Sequence, residues 1–232
     1  MSTILAIETS AESASAALLR EGTLISREVE GVVTHSQTIL PMVQSLLNEA
    51  GIPLAECNAI AYGAGPGSFT GVRTACGIAQ GLAFGAELPV VPLVTLLALA
   101  QACHEQGSAK DVLAIIDARM GEVYWAQYRY EGEWQVIIEP ALSAPNDVAP
   151  LGVVTACGNG LKAYSAAFQE RDFYAHAWPD LMPHAKQVAI LGERLFMQGV
   201  HVDAAHAEPL YLRNKVALTT RERQEKAERA VA

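Results

Sequence analysis

Two carboxylates follow short apolar segments that are typical of buried strands. Glu8 ends the segment Ile4 to Glu8, and Asp117 ends the similar segment Val112 to Asp117. Ligands of α/β proteins bind at the carboxyl ends of sheet strands, so these acids could hold a magnesium–nucleotide. The alternative is that each acid only closes the turn after its strand. Without a second acid beside Glu8 in the sequence, we favour the turn-closing role.

A glycine-rich loop, Gly63-Ala64-Gly65-Pro66-Gly67-Ser68, lies between a predicted strand and a predicted helix. Backbone N–H groups around Gly65, Gly67 and Ser68, together with the helix dipole, could bind an anion. The loop is not a Walker A motif, because no Gly-Lys-Ser/Thr follows, and it is not Gly-x-Gly-x-x-Gly. A tight strand-to-helix turn with Ser68 as the helix N-cap explains the same residues. Glu8 and this loop are thus candidates for a vestigial nucleotide or anion site.

The histidine, serine and cysteine patterns predict no catalytic residue. The six histidines form neither His-x-x-x-His nor His-Glu-x-x-His, so we expect no metal site. Ser68 lies in Gly67-Ser68-Phe69-Thr70-Gly71, which is not the Gly-x-Ser-x-Gly of a serine hydrolase. The four cysteines lack Cys-x-x-Cys spacing and are too few for a disulfide scaffold, which indicates a reducing compartment.

Composition excludes several classes of protein. The chain has 232 residues, a net charge of −9 and 51% hydrophobic residues, which is typical of a folded globular protein and not of a disordered one. Its acidic balance argues against a nucleic-acid interface over the whole surface. The longest apolar run, Val90 to Ala100, is interrupted by Pro92 and is too short for a membrane span, and no signal peptide is recognisable. The sequence therefore predicts a soluble, cytoplasmic protein.

The same order of elements occurs twice along the chain. Three predicted strands, a helix, a strand and a second helix fill the first half, and Val112 to Asp117 begins a similar series. This repetition is typical of a duplicated ribonuclease-H-like fold, an α/β architecture with a mixed sheet in each of two lobes. We place the lobes at residues 1–107 and 108–232. The second lobe is predicted to be reduced, because residues 145–150 leave no room for a long first helix. Its basic end, Arg213 to Arg229, has the charge spacing of an exposed helix.

The helices predicted at residues 36–50 and 69–85 are poor in charge. No charged residue occurs at positions 31–48, and Arg73 is the only one at positions 57–86. The second helix also contains glycines at four-residue spacing, each of which costs about 1 kcal/mol relative to alanine. These glycines are Gly77, Gly81 and Gly85. Packing of this helix on its own sheet could explain the glycines, but not the missing charges of the other helix. We therefore predict a subunit interface, since large uncharged surfaces are rare on monomers.

Several motifs, in order along the whole chain, resemble those of the TsaB (YeaZ) family. They are Ile4-Leu5-Ala6-Ile7-Glu8-Thr9-Ser10, His35-Ser36-Gln37, the specific string Gly63-Ala64-Gly65-Pro66-Gly67-Ser68-Phe69-Thr70-Gly71-Val72-Arg73, Asp117-Ala118-Arg119-Met120-Gly121 and Pro209-Leu210-Tyr211-Leu212-Arg213. The resemblance implies a fold of the actin-like ATPase superfamily and a bacterial role in making threonylcarbamoyladenosine (t6A) in tRNA. In that system TsaC makes the activated threonylcarbamoyl group, TsaD transfers it to tRNA, and TsaE is an ATPase.

The same resemblance implies a non-catalytic partner of TsaD. TsaB proteins pair with TsaD through first-lobe helices and can form homodimers. TsaD, TsaE and a second copy are thus the expected partners, with tRNA reached only through the complex. The His-x-x-x-His metal site of TsaD-type proteins aligns with Leu96 and Ala100, neither of which is a ligand. Glu8 stands where the superfamily usually has aspartate. Both departures imply a degenerate site without cofactor, and the missing ligands argue against protease activity.

Three hypotheses about function follow. The first is a binding subunit that docks TsaD through the two charge-poor helices. Its expected contact residues are Leu40, Val43, Leu47, Thr74, Gly77, Ile78 and Gly81. The second is an ATP-hydrolysing enzyme that uses Glu8 and the Gly65–Gly67 loop with magnesium. The third is direct tRNA binding by residues 213–229, where six basic and three acidic residues give a net charge of only +3.

Overall fold

The computed structural model describes residues 2–29 and 35–213 and contains two β-sheets. The first sheet and the helices that follow its strands are β1 (Thr3–Glu8), β2 (Ala14–Arg20), β3 (Thr23–Val29), α1 (His35–Ala50), β4 (Ala59–Gly65), α2 (Phe69–Ala86), β5 (Val90–Val94) and α3 (Thr95–Gly107). The second sheet and the remaining helices are β6 (Asp111–Arg119), β7 (Glu122–Tyr130), β8 (Trp134–Ser143), β9 (Thr155–Cys157), α4 (Gly160–Ala163), α5 (Ser165–Phe168) and α6 (Ala185–Met197).

The first sheet has the strand order β3-β2-β1-β4-β5 and is covered on both faces. β2 runs antiparallel to β1 and β3, whereas β4 and β5 run parallel to β1. Successive residues of a strand point to opposite faces. Leu5 and Ile7 accordingly pack in the core under α1 and α2, and Ile4 and Ala6 pack in the core under α6. The uninterrupted apolar sequence of β1 is thus explained by helices on both sides of the sheet.

The second sheet repeats this order without a fifth strand in the described residues. Its order is β8-β7-β6-β9, with β6 antiparallel to β7 and parallel to β9, so these four strands correspond to β3, β2, β1 and β4. At the place of α1, residues Pro145–Asp147 form only a single 3-10 turn. The predicted duplication and the predicted reduction of the second lobe are confirmed.

Two helices lie between the sheets and cross the predicted lobe boundary. α3 comes from the first half of the sequence, but its buried residues Leu96 and Cys103 pack on the second sheet. α6 comes from the second half, and its buried residues Ala185 and Val188 pack on the first sheet. The two sheets therefore separate near residue 107, while each lobe depends on a helix from the other half of the chain.

The predicted helices at residues 36–50 and 69–85 are confirmed within one residue at each end. Ser68 is the N-cap of α2, since its side chain accepts a hydrogen bond from the Gly71 N–H. The basic segment after Arg213 lies outside the described residues. No helix in the described part of the chain is both long and apolar enough to cross a bilayer.

Candidate functional site

α2 presents a glycine-lined surface to solvent. The buried residues on its sheet-facing side are Gly71, Val72, Ala75, Cys76, Ala79 and Ala83. On the other side, a methyl group added at Gly77, Gly81 or Gly85 would contact no atom within 4 Å. These glycines are therefore not needed for packing of α2 on its own sheet. We call Gly77, Gly81 and Gly85 the glycine stripe. Its explanation by packing of α2 on the first sheet is therefore wrong.

The same surface carries two exposed phenylalanines that the sequence analysis did not single out. Phe84 is 80% exposed and Phe69 is 43% exposed. A signal for them was present in the sequence, because residues three or four apart share one side of a helix. Phe69 lies eight residues before Gly77, and Phe84 lies three residues after Gly81. The surface is thus glycine-lined in its middle and aromatic at both ends.

α1 adds a smaller part of this surface. Leu40 is 48% exposed, whereas Val43 and Leu47 are only 3% and 6% exposed and belong to the core between α1 and the first sheet. The prediction that Val43 and Leu47 contact a partner is therefore wrong, because both lie on the sheet-facing side of the helix with Ile39.

We define the outer face as the solvent side of α1 and α2. It consists of Leu40, Pro41, Gln44, Phe69, Arg73, Thr74, Gly77, Ile78, Gly81, Phe84 and Gly85. Thr74 and Ile78 are half-buried, and Gly77 and Gly81 are exposed, so these four predicted contact residues do reach the surface. Arg73 is the one charged member of the set. Glu49, near the end of α1, forms an ion pair with Arg27 of β3.

Glu8 is buried inside the first lobe. Its Oε1 atom accepts a 2.6 Å hydrogen bond from the Ser10 N–H, and its Oε2 atom lies where a methyl group on Gly63 would be. Within residues 2–29 and 35–213, Oε2 has no hydrogen-bond partner. Burial raises the pKa of the Glu8 carboxyl, although hydrogen bonds from Ser10 and Thr9 act in the opposite direction. Glu8 thus closes the turn after β1, the role that the sequence analysis favoured.

The glycine loop packs on the end of β1. The Gly65 N–H donates to the Thr95 hydroxyl at 3.1 Å, and the Ser68 N–H donates to the Ser10 carbonyl at 2.8 Å. Gly67 comes so close that a methyl group there would lie 2.6 Å from the same carbonyl oxygen. The close approach explains why this loop requires glycine. Two of the N–H groups considered for anion binding are therefore already used within the chain.

A cleft of about 1150 Å³ lies between the lobes. Of the four candidate nucleotide-site residues, Gly67 and Ser68 line this cleft, and Glu8 and Gly65 do not. The structure therefore does not bring the predicted carboxylate and the loop together around one open site.

Asp117 lines the cleft, but its carboxylate is occupied by neighbouring groups. Its Oδ1 atom accepts hydrogen bonds from the Arg119 N–H at 2.7 Å and from the Tyr164 hydroxyl at 2.9 Å. Its Oδ2 atom lies 3.1 Å from the Arg119 guanidinium. Asp117 thus closes the turn after β6 with Arg119, the alternative to a nucleotide-binding role that the sequence left open for this acid.

Metal ligands are not clustered in the described ranges, where no three His, Cys, Asp or Glu side chains are grouped to hold an ion. Leu96 and Ala100 on α3 are fully buried in the core against the second sheet. Their side chains are therefore part of the packing between the lobes.

Residues 207–213, which we call the C-terminal strap, connect the first lobe to the second. The Tyr62 hydroxyl donates to the Glu208 carbonyl at 2.9 Å, and the Leu210 N–H donates to the Ala64 carbonyl at 2.7 Å. At its end, Arg213 forms a 2.5 Å hydrogen bond to Glu122 of β7. In the sequence, this segment is distinguished only by the family motif Pro209-Leu210-Tyr211-Leu212-Arg213, which indicates no structural role.

Two sheets of one topology, joined across a cleft, define two ribonuclease-H-like lobes of the actin-like superfamily. Comparison with known families agrees, because residues 25–220 match the model described as TsaD, tRNA N6-adenosine threonylcarbamoyltransferase. Individual proteins that are similar to this chain carry the name "tRNA threonylcarbamoyladenosine biosynthesis protein TsaB". The protein of that name from Escherichia coli (strain K12) is 42% identical over 221 residues, which cover 92% of this chain and 96% of that protein.

A second TsaB, from Haemophilus influenzae, is 41% identical over 227 residues and is covered to 94%. The solved structure of YeaZ from Pseudomonas aeruginosa matches with a TM-score of 0.85 at 41% identity and covers 91% of this chain and 100% of its own. The chain therefore belongs to the TsaB (YeaZ) family, whose named members are t6A biosynthesis proteins.

Proposed function

We propose that this chain is a non-catalytic, cytoplasmic subunit of the machinery that makes t6A in tRNA, and that it binds a TsaD-type transferase through the outer face. The glycine stripe of α2 carries the proposal. Glycine in the middle of a helix is destabilising, and Gly77 and Gly81 gain no internal contact in return. Close approach of a second backbone would give these glycines a purpose.

The kinship with TsaD supports a partner of similar shape. A chain with the same fold has an equivalent pair of helices, and two such pairs can meet about an approximate two-fold axis. A second copy of this chain would meet the same surface in a homodimer. TsaE would then join the assembly, and tRNA would be reached through TsaD.

The environment of Glu8 supports a non-catalytic role. A carboxylate that holds magnesium needs open oxygen atoms at the cleft, whereas Glu8 is fully buried and does not line it. The residues of this region therefore do not fit a magnesium–nucleotide, and we propose no cofactor. The ATP-hydrolysing alternative would require Glu8 to leave its buried position.

The substitution Gly81→Arg tests the docking surface. The arginine side chain has free space in the isolated chain, so the circular dichroism spectrum should stay native. In the complex it would occupy the space of the partner's backbone. We expect at least a roughly 100-fold loss of affinity for TsaD in calorimetric titration, which corresponds to about 2.7 kcal/mol.

Met197→Arg is the matched control, because Met197 is 67% exposed on α6, which packs on the opposite face of the first sheet. This variant should bind TsaD like the unchanged chain. Equal binding by Gly81→Arg and Met197→Arg would show that the outer face is not the docking surface.

A further inference from the structure

Arg73 is held in one orientation by two aromatic side chains. Its guanidinium carbon lies 3.6 Å from the ring centroid of Phe69 and 5.4 Å from that of Tyr211. Its Nε–H donates a 2.6 Å hydrogen bond to the Tyr211 hydroxyl. Tyr211 belongs to the C-terminal strap, so a segment distant in sequence fixes this side chain. An arginine that is ordered before binding loses less conformational entropy when it meets a ligand.

The two terminal nitrogens of Arg73 have no acceptor among residues 2–29 and 35–213. The Nε–H bond to Tyr211 is its one hydrogen bond there, and no carboxylate of the described residues lies within ion-pair distance. A guanidinium with both Nη atoms free can bind a carboxylate through two parallel hydrogen bonds. Arg73 therefore has the geometry of an unfilled carboxylate-binding group.

Arg73 also lies on the same side of α2 as the glycines of the outer face, one turn after Phe69. It precedes Gly77 by four residues and Gly81 by eight, and both steps keep it on one side of the helix. In a face that otherwise has no charge, such an arginine would be desolvated on binding. Burial without a partner would be costly, so the surface that covers Arg73 must supply an acid.

From these observations we propose that Arg73 is the charge anchor of the outer face and pairs with an aspartate or glutamate on the helices of a TsaD-type partner. The inference rests on the proposed function and names the chemistry that the partner must provide. A second copy fits less well. No member of the outer face is an aspartate or glutamate, and Glu49, near the end of α1, already pairs with Arg27. The need of Arg73 for an acidic partner thus favours a different chain over a second copy.

The experiment measures TsaD affinity for the full chain and for Arg73→Gln, at roughly 0.05 M and 0.5 M salt. Loss of a hydrogen-bonded ion pair should weaken binding about 10- to 100-fold at low salt. Salt should weaken binding of the unchanged chain and have little effect on Arg73→Gln. Arg194→Gln, an exposed change of equal charge on α6, should retain both the affinity and its salt dependence.

Tyr211→Phe separates orientation from charge. It removes the acceptor of the Nε–H bond and keeps the ring and the arginine, so affinity should fall about 2- to 10-fold while the salt dependence remains. The isolated Arg73→Gln chain loses its contacts with Phe69 and Tyr211, so its melting temperature should fall slightly and by the same amount at low and high salt. A salt-dependent fall would place the acid within this chain and would overturn the proposal.

Three further results would overturn the proposal. In the first, Arg73→Gln binds TsaD with unchanged affinity and salt dependence. In the second, the homodimer weakens as much as the TsaD complex. In the third, the variant loses retention of tRNA instead of TsaD, which would make Arg73 a phosphate contact. Failure of the unchanged chain to bind TsaD at all would instead refute the proposed function.

Discussion

At the scale of single residues, Glu8 shows how burial changes the role of an acid. The residue stands at the carboxyl end of a central strand, where ligands of α/β sheets bind, but Gly63 and Ser10 enclose it. No charged group is among the causes that act on its pKa, and burial, the largest of them, raises that pKa. A raised pKa in the folded state favours the neutral, protonated carboxyl.

The substitution Glu8→Gln should therefore remove a pH-dependent loss of stability. Glu8 ionises near pH 4.5 in the unfolded chain and at a higher pH in the folded chain, because burial raises its pKa. Above about pH 4.5, the free energy of unfolding of the unchanged chain should therefore fall relative to that of Glu8→Gln as the pH rises. Below about pH 4.5, the difference between the two free energies should stay constant. Denaturant titrations at a series of pH values measure this difference.

A pH-independent difference between the two chains would contradict the protonated, structural role of Glu8. Micromolar magnesium–ATP binding by the unchanged chain that is lost in Glu8→Gln would contradict it as well and would favour the enzyme hypothesis.

At the scale of elements, α2 has two sides under different constraints. Its sheet side is packed, and Gly71 there lies so close to the Thr9 carbonyl that no side chain would fit. Its outer side has glycines with open space around them. Sequence spacing places Gly71 and Gly77, six residues apart, on different sides of the helix. Only the contacts of the folded chain show which of these sides faces the sheet.

The double substitution Gly77→Ala with Gly81→Ala should raise stability and lower affinity together. Each alanine reduces the entropy of the unfolded chain without a clash, so the isolated chain should gain about 0.4–1 kcal/mol per site. The two methyl groups should hold the partner's backbone away and weaken TsaD binding about 10-fold or more. Thermal unfolding and calorimetric titration measure the two effects.

Gly192→Ala is the control for a helical glycine with an internal role. A methyl group there would lie 2.6 Å from the Cβ atom of Ala61, so this variant should be less stable, and its folded fraction should bind TsaD normally. Unchanged TsaD affinity in the Gly77/Gly81 variant would mean that the outer glycines do not serve close docking.

At the scale of the whole molecule, exchanged helices and a strap hold the lobes together. α3 and α6 pack between the two sheets, and the C-terminal strap joins the lobes along the cleft, where Arg213 contacts Glu122 of β7. The Arg213 guanidinium also donates to the Ala118 carbonyl at 3.1 Å and is 14% exposed. Its contacts are therefore better protected from solvent than those of a surface ion pair.

Arg213→Ala should destabilise the chain by about 1.5–3 kcal/mol, the usual contribution of hydrogen bonds to a charged group. Hydrogen exchange should become faster in the turn around Glu122 and in residues 207–213, and remain unchanged in α1. Lys162→Ala removes an exposed pair with Asp180 and should change neither measurement. Equal stability of Arg213→Ala and the unchanged chain would show that the strap does not fasten the lobes.

The sequence by itself determined the duplicated topology, the positions of α1 and α2 and the low charge of the outer face. These features depend on local periodicity, on capping by Ser68 and on residue type, all of which are present in the linear order. The capping role of Ser68 and the family resemblance also belong to this group.

Only the tertiary structure decided which residues of those helices face outward. Leu40, Val43 and Leu47 lie at similar angles around the helix axis, so a pattern of apolar residues does not show which of them is buried. In the folded chain, Val43 and Leu47 pack in the core on the first sheet. The orientation of Arg73 by Tyr211 joins residues 138 positions apart. The strap packs on α2 only in the folded chain, and the local sequence of neither segment predicts this contact.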